Sequence, residues 1–264
     1  MSNLNREPLS VVANERYSRQ IMLPEVGEDG QKKLFSRRVL IVGAGGLGTP
    51  CSLYLAGMGV GHIGLVDSDS VSLSNLPRQF MYRPDDVGKM KAPTLTRMLA
   101  AANPDITVEP IVKNLDAENM DEIVSGYDAV ASCLDNLETR YILNKACVDA
   151  DIPLVEAAVS GFTGMVTVIA PGRGPCYQCL FPKKAKKAAA AKKPSSPLAI
   201  VGPAPGIAGA MQASEIMKLL LNMGEPLIGR MLLFDLLRSE FNIVTTSRRE
   251  KCEVCGRRDS GQKL

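Results

Sequence analysis

A glycine-rich turn, Gly43-Ala44-Gly45-Gly46-Leu47-Gly48, follows a short apolar run and opens a stretch of small, helix-compatible residues. Glycines at that spacing let the backbone turn sharply out of a buried strand. They bring a helix N-terminus, with its free N–H groups and positive dipole end, close to an anion. The same chain carries two Cys-x-x-Cys pairs, Cys176/Cys179 and Cys252/Cys255. Two such pairs far apart in sequence form the pattern of a four-thiolate metal site, for which Zn2+ is the expected ion. Together these features predict a nucleotide-binding α/β domain whose later part is pinned back by metal.

Around the turn the chain alternates between strand and helix patterns. Residues 37–42 read as a buried parallel strand, 48–59 as a small-residue helix, and 62–67 as a second strand ending in Asp67. Further strands are expected at 106–112, 127–134 and 153–159, with helices at 89–102, stopped by Asn103-Pro104, and at 137–150. This is the doubly wound pattern, a Rossmann-like and mostly parallel sheet. Beyond about residue 160 the rhythm changes to a strand at 163–170, a helix at 206–223, and a hairpin of 231–235 and 241–246. The hairpin is antiparallel by its short connection. The expected layout is a single domain over 1–264. It comprises a flexible tail at 1–14, a nucleotide-binding core at 15–160 and a zinc-pinned antiparallel extension at 161–264, with a mobile crossover loop at about 183–200. Residues 14–31 are expected to begin the core as a helix.

Composition excludes several classes. The chain is 45% hydrophobic and 22% charged, with a formal net charge of +3. That balance suits a soluble globular protein and is too weakly basic to argue for nucleic acid. No apolar stretch is long enough to cross a bilayer, and the first residues carry no signal-peptide pattern, so a cytoplasmic protein is expected. In that compartment seven cysteines favour metal or free thiols over disulfides. Two disulfides, or four unrelated thiols, are the alternatives to a metal. A redox Cys-x-x-Cys usually opens a helix beside a first strand, which neither pair is expected to do. Cys51, Cys133 and Cys147 fall inside elements and read as packing residues, and His62 has no partner motif.

The polar residues near the turn bear on which nucleotide is bound. The turn and Asp67 alone suit a dinucleotide such as NAD or FAD, with the acid on a ribose hydroxyl. Asp69, Asn75, Arg78 and Lys91, however, gather after the second strand. A nicotinamide pocket is dry and apolar, whereas a triphosphate needs cations on its phosphates and on departing pyrophosphate. Solvated surface charge remains the simpler reading of any one of these cations. Asp135 ends the fourth strand, at the carboxyl end of a central strand where the ligand crevice of such folds opens, and is a hard oxygen ligand for Mg2+. Asp135 or its neighbour Asn136 is equally suited to cap the helix that follows.

In order and spacing, several pieces resemble one family. They are RYSRQ at 16–20, RVLIVGAGGLG at 38–48, GHIGLVDSDSVSLSNLPRQF at 61–80, VGKMKA at 87–92, CLDN at 133–136 and both cysteine pairs. The set resembles the E1-like adenylyltransferases that activate ubiquitin-like sulfur carriers, the MoeB/ThiF/HesA group. The resemblance implies ATP bound at Gly43, Gly45, Gly46, Gly48, Asp67, Asp69, Asn75, Arg78, Lys91, Asp135 and Asn136. Within that set Asp67 takes the ribose, Asn75, Arg78 and Lys91 take the phosphates and adenylate, and Asp135 is associated with Mg2+. It implies a homodimer in which Arg19 reaches into the ATP site of the partner subunit, so that Arg19, Arg78, Lys91 and Asp135 are the catalytic set. It implies structural Zn2+ on the four paired cysteines. The implied partner is a small ubiquitin-like carrier ending in Gly-Gly, whose terminal carboxylate attacks the α-phosphate.

One departure matters. Many relatives carry a cysteine in the loop after the first Cys-x-x-Cys, which takes up the acyl group or sulfur. Here that loop, KKAKKAAAAKKPSSPLAIVGPAPG at 183–206, has none, and the serines Ser195 and Ser196 are poor substitutes for a thiolate. The expectation is therefore that the enzyme stops at acyl-adenylate and passes it to an external sulfur donor. The six lysines between 183 and 193 read as a solvated loop, with an acidic-partner patch as the alternative. Three competing functions remain open from sequence: adenylation of a small carboxylate, an NAD-dependent oxidoreductase, and a nucleotide-binding scaffold.

Overall fold

The computed structural model describes residues 10–183 and 199–256. The lysine run beyond Lys183, Ser195 and Ser196, and the expected crossover loop up to residue 198 lie outside the described residues.

One eight-stranded sheet organises the chain. Its strands are β1 (Arg38–Val42), β2 (His62–Val66), β3 (Thr107–Ile111), β4 (Ala129–Ser132), β5 (Leu154–Ser160), β6 (Thr163–Ile169), β7 (Arg230–Asp235) and β8 (Glu240–Thr245). They lie in the order β3-β2-β1-β4-β5-β6-β7-β8. The first five are parallel and the last three add antiparallel pairings. Every expected strand is present, and the Rossmann-like sheet with an antiparallel extension is borne out.

Parallel strands joined by helices are covered on both faces, and the central β1 and β4 are accordingly apolar apart from Arg38 and Ser132, whereas the edge strand β3 is mostly exposed. The pleat divides them cleanly. Val39 and Ile41 of β1 enter one core cluster together with Ala129 and Ala131 of β4. Leu40 and Val42 enter the other together with Val130. The first core is covered by α4 (Gly48–Gly57), α5 (Lys91–Ala102) and α9 (Pro203–Leu221), the second by α6 (Met120–Val124), α7 (Leu137–Asp149) and α8 (Tyr177–Leu180). Burial of these aliphatic side chains stabilises by about 1.5–3 kcal/mol each.

The N-terminal segment differs from expectation. Instead of one helix over 14–31 there are three, α1 (Val11–Arg16), α2 (Ser18–Ile21) and α3 (Gly27–Phe35), so helix already begins within the segment expected to be a loose tail. The chain breaks at Tyr17 (φ −99°, ψ 8°) because its ring is buried against Phe35, a tertiary demand that outweighs local helix continuity. The four- and five-residue helices α8 and α6 are too short to leave a periodic signal and were not expected. Among the described residues no helix is long and apolar enough to cross a membrane.

Candidate functional site

The strand order reverses direction between β1 and β4, which are hydrogen-bonded neighbours. At such a switch point the loops leaving the carboxyl ends diverge and open a crevice. A cleft of about 1090 Å³ lies there.

The glycine turn forms one wall. Gly43 has φ +106°, and a Cβ there would sit 2.5 Å from the Cys133 carbonyl oxygen. At Gly48 a Cβ would fall 1.8 Å from the Gly43 carbonyl oxygen. The turn is therefore closed on itself so tightly that side chains are excluded at both ends. Gly43, Gly45 and Gly46 line the cleft; Gly48 does not, being buried at the start of α4. Asp67, at the end of β2, braces the turn from below. Its carboxylate accepts hydrogen bonds from the Ala44 and Asp69 N–H groups, each 2.8 Å. Burial pushes its carboxyl pKa up, and those two donors oppose the shift. The Tyr82 hydroxyl donates to the Ala44 carbonyl at 2.8 Å, clamping the turn from the other side.

Lys91 opens α5, is only 7% exposed, and places its Nζ 2.8 Å from Asp69 Oδ2. The Lys91 N–H also donates to the Asp69 carbonyl at 2.9 Å. Lys91 is thus a paired cation set into the cleft wall, and the reading of it as solvated surface charge is wrong. Asn75 and Arg78 sit at and just after a single 3-10 turn, Leu73–Asn75. The Asn75 side chain accepts from the Ser72 N–H (3.1 Å), and Arg78 Nη1 donates to the Ser74 carbonyl (2.8 Å), so local bonds fix both residues facing the cleft.

Across the cleft, Asp135-Asn136 lie just beyond the carboxyl end of β4. The Asn136 side chain accepts from the Thr139 N–H at 2.8 Å and caps α7. The cap role falls to Asn136, and Asp135 lines the cleft as an exposed carboxylate. Arg140, one turn into α7, also lines the cleft. It pairs with Glu156 of β5 and donates to the carbonyls of Ala157, at 2.9 Å, and Leu134. Arg19 does not line the cleft; it is exposed on α2.

Sequence reasoning missed Arg140, and also Lys113 and Asn114, which follow β3 and line the cleft. The Ser68 hydroxyl donates to Asn114 Oδ1 at 2.6 Å, tying this segment to the end of β2. The rule that singled out Asp67 and Asp135, polar residues beyond a strand's carboxyl end, points to Lys113 and Asn114 as well.

The four paired cysteines converge. All four are buried, and their sulfurs lie within 4.8 Å of one another. Three of the separations are 3.9, 3.6 and 3.4 Å. A tetrahedral site with metal–sulfur bonds of about 2.3 Å has sulfur edges of about 3.8 Å, so the donor set fits a metal ion of that kind. The Cys176 thiol donates to Cys179 and the Arg249 N–H adds a second donor, which together hold the Cys179 thiol pKa well below its ordinary value. Contrary to expectation, Cys176 does open a helix, the four-residue α8. The close approach of the second pair sets it apart from an isolated redox pair. Cys51, Cys133 and Cys147 are buried as expected, and Cys133 also borders the cleft.

A doubly wound sheet, a closed glycine turn at its switch point, facing cations and carboxylates, and a four-cysteine cluster able to hold a metal define the class: an α/β protein with a cleft suited to an anion and an antiparallel extension. The model of the ThiF family matches residues 17–254, and the chain belongs to that family. It is similar to the SAMP-activating enzyme E1 of Haloferax volcanii, 44% identical over 242 residues, covering 92% of this chain and 88% of that protein. It is likewise similar to the sulfur carrier protein adenylyltransferase of Thermus thermophilus, 43% identical over 248 residues, with 92% and 90% covered. Among solved structures, the E. coli protein MccB crystallised with ATP superposes with a TM-score of 0.78 at 30% identity, over 92% of this chain and 75% of that one.

Proposed function

We propose that this protein is an ATP-dependent adenylyltransferase that activates the C-terminal glycine carboxylate of a small ubiquitin-like sulfur carrier. The carboxylate oxygen attacks the α-phosphorus of ATP, the bond from that phosphorus to the bridging oxygen breaks, and pyrophosphate leaves with its electron pair. The product is a carrier acyl-adenylate. The observation that carries this reading is the arrangement of the cleft: the Lys91–Asp69 pair beside the glycine turn, with Arg78 on the same rim and Asp135 across from it. The names of the two similar proteins and the ATP held by the structural neighbour support it.

In this reading Gly43, Gly45 and Gly46 receive the phosphates and Gly48 keeps the turn shut. Asp67, already bonded to the turn, reaches the ribose; Asn75, Arg78 and Lys91 neutralise the phosphates. Asp135 and Asn136 line the cleft wall opposite Lys91, and Asp135 would hold Mg2+, which would supply charge neutralisation on the leaving pyrophosphate. The thiolates of Cys176, Cys179, Cys252 and Cys255 hold Zn2+, a structural ion. No side chain need be modified covalently; positioning and preorganised charge supply the catalysis. With no cysteine between 180 and 251, an external sulfur donor consumes the adenylate. The enzyme acts in the cytoplasm as a homodimer, with Arg19 serving the partner's cleft.

ATP–pyrophosphate exchange with the purified protein, Mg2+ and a panel of Gly-Gly-ended carriers tests the reading. Exchange that requires an intact terminal glycine is expected. Exchange driven by small carboxylates alone, or none with any carrier despite bound ATP, would overturn it.

A further inference from the structure

Arg19 belongs to the RYSRQ segment, and the other polar members of that segment are occupied in a way that the proposed chemistry does not require. Arg16 pairs with Asp105 at 3.1 Å and donates to the Ala102 carbonyl at 3.3 Å. The Tyr17 ring is buried, and its hydroxyl accepts from Asn103 Nδ2 at 2.7 Å. Asn103 is itself buried and donates to the Ala56 carbonyl at 2.6 Å. Gln20 Nε2 donates to the Met58 carbonyl at 2.8 Å and to Gln31 Oε1; Gln31, fully buried, donates to the same Met58 carbonyl at 3.1 Å.

The targets of these bonds share one location. Ala56 and Met58 are at the C-terminal end of α4, where the last carbonyls have no partner within the helix. The other end of α4 is the glycine turn of the cleft. Tyr17, just before α2, and Gln20 on α2 both turn toward this anchor, Tyr17 through Asn103 and Gln20 directly to the Met58 carbonyl. Arg19 lies about 100° further round the helix from Gln20 and is exposed. The segment is therefore a bracket: its inward polar groups are fixed to the far end of the helix that carries the glycine turn, Arg16 is held by Asp105, and Arg19 is presented outward.

We propose that Gln20, Tyr17 and Asn103 are positioning residues that preorganise Arg19 for the cleft of a second copy of this chain, an inference that rests on the adenylyltransferase reading with Arg19 acting in trans. A guanidinium on a free tail would lose its rotamer and backbone freedom at each engagement, and the bracket removes that cost beforehand. A misplacement of about 1 Å costs up to about 100-fold in rate. Gln20→Ala is thus expected to lower the exchange rate constant by about 10- to 100-fold. Tyr17→Phe, which removes only the hydroxyl, is expected to lower it by less.

The experiment uses mixed dimers, purified through two different tags and assayed by ATP–pyrophosphate exchange with whichever Gly-Gly-ended carrier the wild-type protein accepts. The control pairs an Arg19→Ala subunit with an Asp135→Ala subunit, and one working site per dimer should return. The test pairs Gln20→Ala with Asp135→Ala. Its intact cleft receives the intact arm of the other subunit, so the rate should again return to one working site. Gln20→Ala paired with Arg19→Ala should stay slow, because both arms are defective. A Gln20→Ala subunit that merely weakened its own cleft would stay slow against Asp135→Ala, and that result, with the control restored, overturns the positioning role. Tyr17→Phe in place of Gln20→Ala gives the same comparison with the ring packing retained. Failure of the control itself overturns the trans reading, and the positioning role with it.

Discussion

Breaking the ion pair between Arg140 and Glu156 should cost more than any surface charge in this protein. Glu156 is 0% exposed in β5 and Arg140 is 5% exposed in α7 at the cleft wall, so each is the other's charge compensation with little solvent around either. Removing one partner from such a pair leaves a desolvated charge and costs about 3–5 kcal/mol. For Glu156→Leu the lower end is expected, near about 3 kcal/mol, because the Ala157 and Leu134 carbonyls continue to accept from the guanidinium. At about 2–4 °C per kcal/mol for a chain of this size, Tm should fall by roughly 6–12 °C. Arg140→Met strands the buried carboxylate, which must protonate or distort, and should cost at least as much.

The double variant Arg140→Met/Glu156→Leu removes both charges and should lie within about 2 kcal/mol of wild type, since apolar replacement of a buried pair is often nearly neutral. Urea denaturation of the four proteins completes the cycle. A coupling energy below about 0.5 kcal/mol would refute the argument that the two charges compensate each other. The functional side separates the partners: only Arg140 holds the Leu134 carbonyl, next to Asp135, so Arg140→Met should depress nucleotide exchange more than Glu156→Leu does.

The four-cysteine cluster and the glycine turn give two further expectations. The cysteine contacts join residues 76 positions apart, and closing a loop of that length is worth about 4–5 kcal/mol by chain entropy, so if the four thiolates hold the proposed Zn2+, Cys252→Ser should lower the zinc content and cost about 8–20 °C of Tm together; unchanged stability would refute a structural metal. Gly48→Ala drives a Cβ into the Gly43 carbonyl and should weaken ATP binding at least about tenfold by calorimetry, whereas Gly57→Ala, with open space around it, should leave binding intact and stabilise by up to about 1 kcal/mol.

Much of this architecture was legible because the pattern that gives a strand its place also gives its end a position. An apolar run such as 38–42 fits a strand covered on both faces, and a polar residue just past its carboxyl end must then lie near the crevice. Asp67 and Asp135 follow from that rule, and the turn at 43–48 from steric need. The cysteines were legible because the spacing of two residues within each pair suits a metal corner. The break at Tyr17 was not, since it depends on Phe35 and Asn103, the latter 86 residues away. For Asp67, sequence alone suggested a ligand contact but not its second task of bracing the turn.

The groups that escaped sequence reading have a physical feature in common. Arg140, Gln212, Gln20 and Asn103 are polar side chains that saturate carbonyl groups distant in the chain. Gln212 donates to the Ser132 and Val155 carbonyls, 80 and 57 residues away, and Asn103 to the Ala56 carbonyl, 47 residues away. Local periodicity cannot encode such bonds, because an amide in a helical pattern looks the same whether it faces water or a strand end. Yet buried carbonyls must be satisfied, and each of these bonds fixes a carbonyl near the start or end of the elements that frame the cleft or the arm. Residues that meet a ligand are thus placed by the fold's pattern, whereas residues that keep them in register are placed by the backbone's unsatisfied acceptors. Substitutions of the second kind should change activity without touching the ligand, and they are found only by following each orphaned carbonyl to its donor.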